Sequence, residues 1–175
     1  VSHPIRPYHP DDLPQLLQIY NHAIEFHTAT FEETPLSECE FGERLAGIAS
    51  QFPLLVIEHD GQVAGYAYGN HYKTRSAYRF CAETTIYLAP EQQGKGLALP
   101  LYQALLQALQ SRGITQVLAV ITSPNPTSEA LHRKLGYEPV GLMRSVGFKF
   151  ENWHDVAIWQ RALTPDAVSS DKGES

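Results

Sequence analysis

Gln93-Gly94-Lys95-Gly96-Leu97-Ala98 stands between an apolar strand that ends near Leu88 and a leucine-rich helix. A turn of this composition leaves several backbone N–H groups unpaired at a helix N-terminus. The macrodipole adds positive potential there, and such a site receives a phosphate or pyrophosphate. Glycines in this position also serve as a plain tight turn, so the stretch has to be read with its flanks. On the far side Leu97, Leu101, Leu105 and Leu109, with Tyr102 and Leu106 beside them, form one wide apolar face. That spacing predicts a helix over 96–112, stopped by Gly113. Pro100 falls in its first turn, where a missing N–H costs little. On the near side Phe80 to Leu88 predicts a strand long enough to be central in a sheet, ended by Pro90.

Further out, Ile5 to Tyr8 reads as a short strand, and Asp11 or Asp12 can cap a helix carrying Leu13, Leu16, Leu17, Tyr20 and Ile24 at helical spacing. The segment 27–37 breaks the period, and a second amphipathic helix follows from Glu38 to Ala49. Leu54 to Ile57 and Val63 to Tyr72 predict antiparallel strands joined at Asp60-Gly61, and Lys73 to Tyr78 is polar and irregular. Beyond the leucine-rich helix come a strand at Val117 to Thr122, a helix at Thr127 to Leu135 closed by Gly136, and strands at Glu138 to Met143 and Val156 to Leu163. The order is β-α-α-β-β-β-α-β-α-β-β, a mixed sheet with helices against it.

A chain of 175 residues suits one domain with a core of its own. We expect that domain to span 1–163 and the polar tail 164–175 to be flexible. The formal net charge of −6, without a basic block, gives no electrostatic footprint for nucleic acid. No apolar run reaches bilayer length and residues 1–4 do not read as a signal peptide, so the expectation is a soluble, cytoplasmic protein that engages no membrane. Cys39 and Cys81 form no spaced framework, consistent with reduced thiols.

Several chemistries are set aside on residue patterns. Eight histidines show no H-x-x-x-H pair alongside a cysteine or carboxylate set, so no metal site is expected. Nothing near Cys81 argues for an activated thiolate. Neither G-x-x-x-x-G-K-[ST] nor G-x-G-x-x-G occurs around Gly94, which argues against a nucleotide hydrolase and a dinucleotide oxidoreductase. His154 and Asp155 are adjacent on a strand, so their side chains point to opposite faces and should not pair.

The Gln93 to Ala98 turn, Asn125 after the next strand, and Leu131-His132-Arg133-Lys134-Leu135-Gly136-Tyr137 resemble the GCN5-related N-acetyltransferase (GNAT) superfamily. Ala98 is the terminal small residue of the turn motif, and His132 occupies the usual tyrosine position. Asn21-His22-Ala23-Ile24-Glu25, Lys73-Thr74-Arg75-Ser76-Ala77-Tyr78, Ala82-Glu83-Thr84-Thr85-Ile86-Tyr87 and the 147–156 segment containing Asn152-Trp153-His154-Asp155 resemble its phosphinothricin and methionine sulfoximine N-acetyltransferase branch. The resemblance runs from about Ile5 to Leu163. It implies an α+β fold whose mostly antiparallel sheet splays between its two central strands, with helices on both faces. It also implies acetyl-CoA as donor, a small amine substrate and a homodimer.

Acetyl transfer from a thioester needs a held donor, an unprotonated amine, a stabilised oxyanion and a proton for the departing thiolate. The resemblance assigns the pyrophosphate to the amides of Gln93, Gly94, Lys95, Gly96, Leu97 and Ala98, with added charge from Lys95. It assigns the pantetheine arm to strand-edge groups of Ile86, Tyr87 and Leu88, steadied by Asn125. An α-amine with a pKa of about 7.7 to 8.0 is partly protonated at neutral pH, so a base improves turnover. Glu83 is the first candidate. His132 is the second, as base or as donor to the thiolate. An α-carboxylate with a second anionic group favours a planar guanidinium, and Arg75 fits best, with Lys73 and Tyr78 in the same segment. Phe31 would supply an apolar wall. Two alternatives stay open: an acceptor that is a peptide N-terminus or polyamine, and a non-catalytic acyl-CoA-binding domain.

Overall fold

The computed structural model describes residues 3–163, and the tail expected to be flexible at 164–175 lies outside them. The chain builds β1 (Ile5–Pro7), α1 (Leu13–Phe26), α2 (Glu38–Ala49), β2 (Leu54–His59), β3 (Gln62–His71), β4 (Cys81–Leu88), α3 (Ala98–Ser111), β5 (Gln116–Ser123), α4 (Pro126–Lys134), β6 (Glu138–Lys149) and β7 (Asn152–Ala162), in the order read from the sequence. The cap expected for the first helix takes another form. A short 3₁₀ turn at Pro10–Asp12 precedes α1, and Asp12 makes no side-chain bond to the helix start. Its carboxylate turns back to accept from the His9 amide and from both Arg6 Nη atoms, each at 2.8 Å. α2 begins at a capping box between Ser37 and Glu40.

The seven strands form one sheet in the order β1-β2-β3-β4-β5-β7-β6. Every neighbouring pair is antiparallel except β4 with β5. That exception follows from the chain path, because α3 carries the chain back to the same end of the sheet before β5 starts. Alternate residues of each strand feed two cores. Leu16, Tyr20, Ile24, Phe41 and Leu45 from α1 and α2 pack over Val56 and Tyr66 on one face. Leu101, Tyr102, Leu105 and Leu109 from α3 pack over Ile57, Ala67, Val117 and Ala119 on the other.

The last two strands run longer than 138–143 and 156–163. They form a hairpin that turns at Phe150 and Glu151, with φ of 54° and 59°, and the register slips between Met143 and Gly147. No glycine marks that turn, so the sequence gives no signal for it. Val140, Leu142, Val146 and Phe148 of β6 are half exposed, at 51–56%. As expected from strand parity, His154 and Asp155 find separate partners: the His154 ring nitrogen lies 2.9 Å from the Lys149 carbonyl, and Asp155 accepts from the Ser145 amide at 2.7 Å.

Candidate active site

β4 and β5 pair at only three positions, Cys81 with Gln116, Ala82 with Val117 and Glu83 with Leu118. Past that point they part, while β4 stays paired to β3 as far as Leu88 and β5 to β7 as far as Ser123. The result is two facing strand edges with backbone groups unused in any ladder, and a cleft of about 330 Å³ between them. Val120, in the middle of a central strand, is 45% exposed for this reason.

Glu83 sits at the fork. Its side chain lines the cleft, it is half-buried, and burial pushes its carboxyl above the ordinary value. Among the described residues it has no ion-pair partner within 4 Å. Thr84, Ile86 and Tyr87 continue the same wall, and Asn125, Ser128 and His132 stand across from them. Asn125 caps α4 by accepting from the Ser128 amide at 3.1 Å, which commits its oxygen and leaves its NH₂ as the free group. His132 is 4% exposed, and burial lowers its pKa. Cys81 adjoins Glu83, and burial with that neighbouring charge raises its thiol pKa, which opposes a nucleophilic role.

Residues 28–31 close the cleft. Thr122 Oγ1 donates to the Thr28 carbonyl at 2.7 Å, and the buried Lys149 ammonium donates to His27 and Thr30 carbonyls at 2.7 and 2.9 Å. Phe31 lies against Gly147, where an added Cβ would stand 2.3 Å from the ring. Beyond Leu88 the chain enters the 93–98 turn, with Gly94 and Gly96 at φ 75° and 77°. Open space surrounds both, so backbone conformation rather than crowding calls for glycine. The amides of residues 94–98 make no hydrogen bond to another loop or element. Free amides at a helix start, followed by an unpaired strand edge, fit an elongated ligand with a diphosphate and amide groups.

Lys73, Arg75, Tyr78 and Leu88 do not line this cleft. The first three lie on the β3–β4 connection, all exposed, with Lys73 Nζ held over the Tyr72 and Tyr78 rings at 5.3 and 5.6 Å. Among the described residues no group of three His, Cys, Asp or Glu could hold a metal, and no helix is long and apolar enough to cross a membrane.

The profile of the acetyltransferase (GNAT) family matches residues 16–137. The chain belongs to this family. It is 40% identical to the phosphinothricin N-acetyltransferase of Streptomyces viridochromogenes over 90% of this chain and 86% of the relative. It is 37% identical to the L-methionine sulfoximine/L-methionine sulfone acetyltransferase of Pseudomonas paraeruginosa over 88% and 91% of the two chains. A GNAT superfamily phosphinothricin acetyltransferase from Sinorhizobium meliloti, solved with AcCoA, superposes with a TM-score of 0.90 at 37% identity, covering 98% of this chain and 97% of that one. As a GNAT acetyltransferase the protein carries the splayed sheet that the motifs implied. Sequence reading missed Tyr68, Thr84, Tyr102, Ser128 and Val156 in the cleft wall. Tyr102 was legible only as part of an apolar helix face, and the 28–30 backbone carried no motif.

Proposed function

We propose that this GNAT enzyme transfers acetyl from acetyl-CoA directly to the free α-amine of a small amino-acid-like acid of the phosphinothricin or methionine sulfoximine type. The observation that carries this reading is the unpaired, half-buried Glu83 carboxyl on the wall of a cleft that leads to free amides at the start of α3. Relatives at 37–40% identity named for these substrates support the acceptor class.

Acetyl-CoA supplies the acetyl group as a thioester. The free amides of 94–98 hold its diphosphate, the Gln93 amide being bonded to the Pro90 carbonyl at 3.4 Å, and the strand edge at Ile86, Tyr87 and Leu88, with the Asn125 NH₂, takes the amides of its arm. Glu83 accepts the proton of the substrate ammonium, a task suited to a carboxyl whose pKa lies above the usual range. His132 takes at Nε2 the second proton that the amine nitrogen sheds as the amide forms and gives it to the departing CoA thiolate. Phe31 walls the acceptor side. We assign the substrate's anionic groups to Arg75, with Lys73 and Tyr78. In support, their segment leaves β3 after His71, which pairs with Ala82 next to Glu83, so it starts at the Glu83 end of the cleft.

The reading includes a single domain carrying the whole activity in the cytoplasm, where acetyl-CoA is made and used. It includes a homodimer through the exposed apolar strip of the β6–β7 hairpin, capped by Trp153 at 66% exposure. A thiol-release assay against phosphinothricin, methionine sulfoximine, methionine sulfone, peptides and polyamines tests the acceptor. Turnover should be highest on the amino-acid analogues, with intersecting initial-rate patterns. Acetylation of polyamines or peptides without the analogues refutes the assignment, and a ping-pong pattern refutes direct transfer.

A further inference from the structure

In the wall of the cleft, six polar contacts form one buried cluster around His132. Its Nδ1 lies 2.7 Å from the Ser128 carbonyl, with Ser128 Oγ at 3.3 Å, and its Nε2 lies 3.1 Å from the Tyr102 hydroxyl. The Tyr102 and Tyr137 hydroxyls lie 2.6 and 2.8 Å from Thr84 Oγ1, which is also 3.2 Å from the Leu118 carbonyl. All four side chains are at most 5% exposed.

Counting protons fixes the directions. A carbonyl only accepts, so Nδ1 carries the hydrogen and a neutral imidazole has a bare Nε2. Tyr102 therefore donates to Nε2, Thr84 donates to Tyr102, and Tyr137 donates to Thr84. Apart from the long Ser128 Oγ contact, four protons serve the remaining five contacts, and the one left unfilled is Thr84 to Leu118, the longest of those five. When Nε2 gains a proton the directions reverse. It donates to Tyr102, Tyr102 turns to Thr84, Thr84 turns to the Leu118 carbonyl, and Tyr137 stays in place. Each hydroxyl keeps its own proton, the imidazole holds one more, and all five contacts are filled.

We propose that Thr84, Tyr102 and Tyr137 are positioning residues for His132, a reversible relay that holds the imidazole as the Nδ1–H tautomer and accommodates its proton uptake by turning two hydroxyls. The relay's catalytic use rests on the reading of His132 as a proton-handling group; its proton geometry does not. The groups facing it are Tyr102 from α3, Ser128 within α4, Tyr137 after α4, Thr84 and Glu83 from β4, and Trp159 and Arg161 from β7. Of the charged ones, Glu83 acts on Tyr102 and Arg161 on Tyr137, and neither is paired with the imidazole. Burial keeps the imidazole neutral near pH 7, the state with the Tyr102 donor pointing at it.

Nitrogen-15 NMR of the imidazole in the whole protein, titrated from neutral to acid pH, reads this without turnover. The wild type should show the Nδ1–H tautomer. Thr84→Val removes more contacts from the protonated form than from the neutral one. The His132 pKa should therefore fall by about one unit, roughly tenfold in proton affinity, and Thr84→Ser should restore it. In kinetics Thr84→Val should move the His132 limb of the kcat profile with little change in KM for acetyl-CoA. An Nε2–H tautomer in the wild type, or a His132 titration identical in wild type and Thr84→Val, overturns the relay. Should Thr84→Val not fold, the wild-type tautomer and a Tyr102→Phe titration decide in its place: with Thr84 turned to the Leu118 carbonyl that variant loses one contact in the neutral form and two in the protonated form, so the His132 pKa should again fall, and an unchanged titration overturns the relay. A His132→Ala enzyme with full activity would instead remove His132 from the mechanism and leave the tautomer result standing.

Discussion

Glu83, the proposed base, carries a cost in stability. Its pKa is raised by burial, so the folded protein binds that proton more tightly than the unfolded chain does. Ionising it therefore costs stability as pH rises through the carboxylate range, and the cost persists at neutral pH. Glu83→Gln removes the cost and the proposed base together. We expect kcat to fall by about 10²- to 10⁴-fold while the melting temperature at neutral pH rises. The wild-type acid limb in kcat/KM should lie above the ordinary carboxylate range and be missing from the variant. A variant with unchanged kcat removes Glu83 from the chemistry. The type of this residue was legible in the sequence and its direction was not. Helices cover both faces of the sheet, so apolar residues fall on both parities of β4 and alternation does not tell cleft from core. Lys149 was hidden for a related reason: nothing in the sequence between Phe148 and Phe150 marks a buried lysine, yet it is 2% exposed and bonded to two carbonyls.

At the scale of elements, the active region comes from a strand pair that stops pairing and a loop that is held from outside. The loop at 28–31 depends on the β6–β7 hairpin, through Lys149 and through the contact of Phe31 with Gly147. Gly147→Ala puts a methyl group within 2.3 Å of the Phe31 ring, which must swing aside. The expected result is a KM for the acceptor amine raised by about tenfold, on the order of 1.4 kcal/mol, with KM for acetyl-CoA unchanged. Equal effects on both constants would mean that Phe31 does not wall the acceptor side. Period and punctuation read all eleven elements in order, because Gly113, Gly136 and Asp60-Gly61 mark their ends. The hairpin escaped because its turn uses Phe150 and Glu151 at positive φ, where glycine or asparagine is the usual sign.

For the whole molecule, the two cores are well covered by α1, α2 and α3, yet the β6 edge of the sheet is not. Phe148 and Trp153 face each other across the hairpin with ring centres 5.0 Å apart, both more than half exposed. A second copy would cover them, so sedimentation should give about twice the 19.5 kDa of the chain. Trp153→Ser should shift that equilibrium toward the monomer, and a wild type that sediments as a monomer ends the dimer proposal. In the sequence the proposed association rests on the family resemblance and on an aromatic segment around Trp153, because exposure depends on which edge of the sheet the strand occupies.

The parting of β4 from β5 has a thermodynamic sequel. The fold gives up several ladder bonds in its own middle, so the aperture is a feature of the main chain. An incoming arm with alternating amide groups can act as a surrogate strand, zipping a seam that the polypeptide never closes by itself. The groups that such a guest would meet along this seam belong to the backbone, which every side chain at these positions leaves in place.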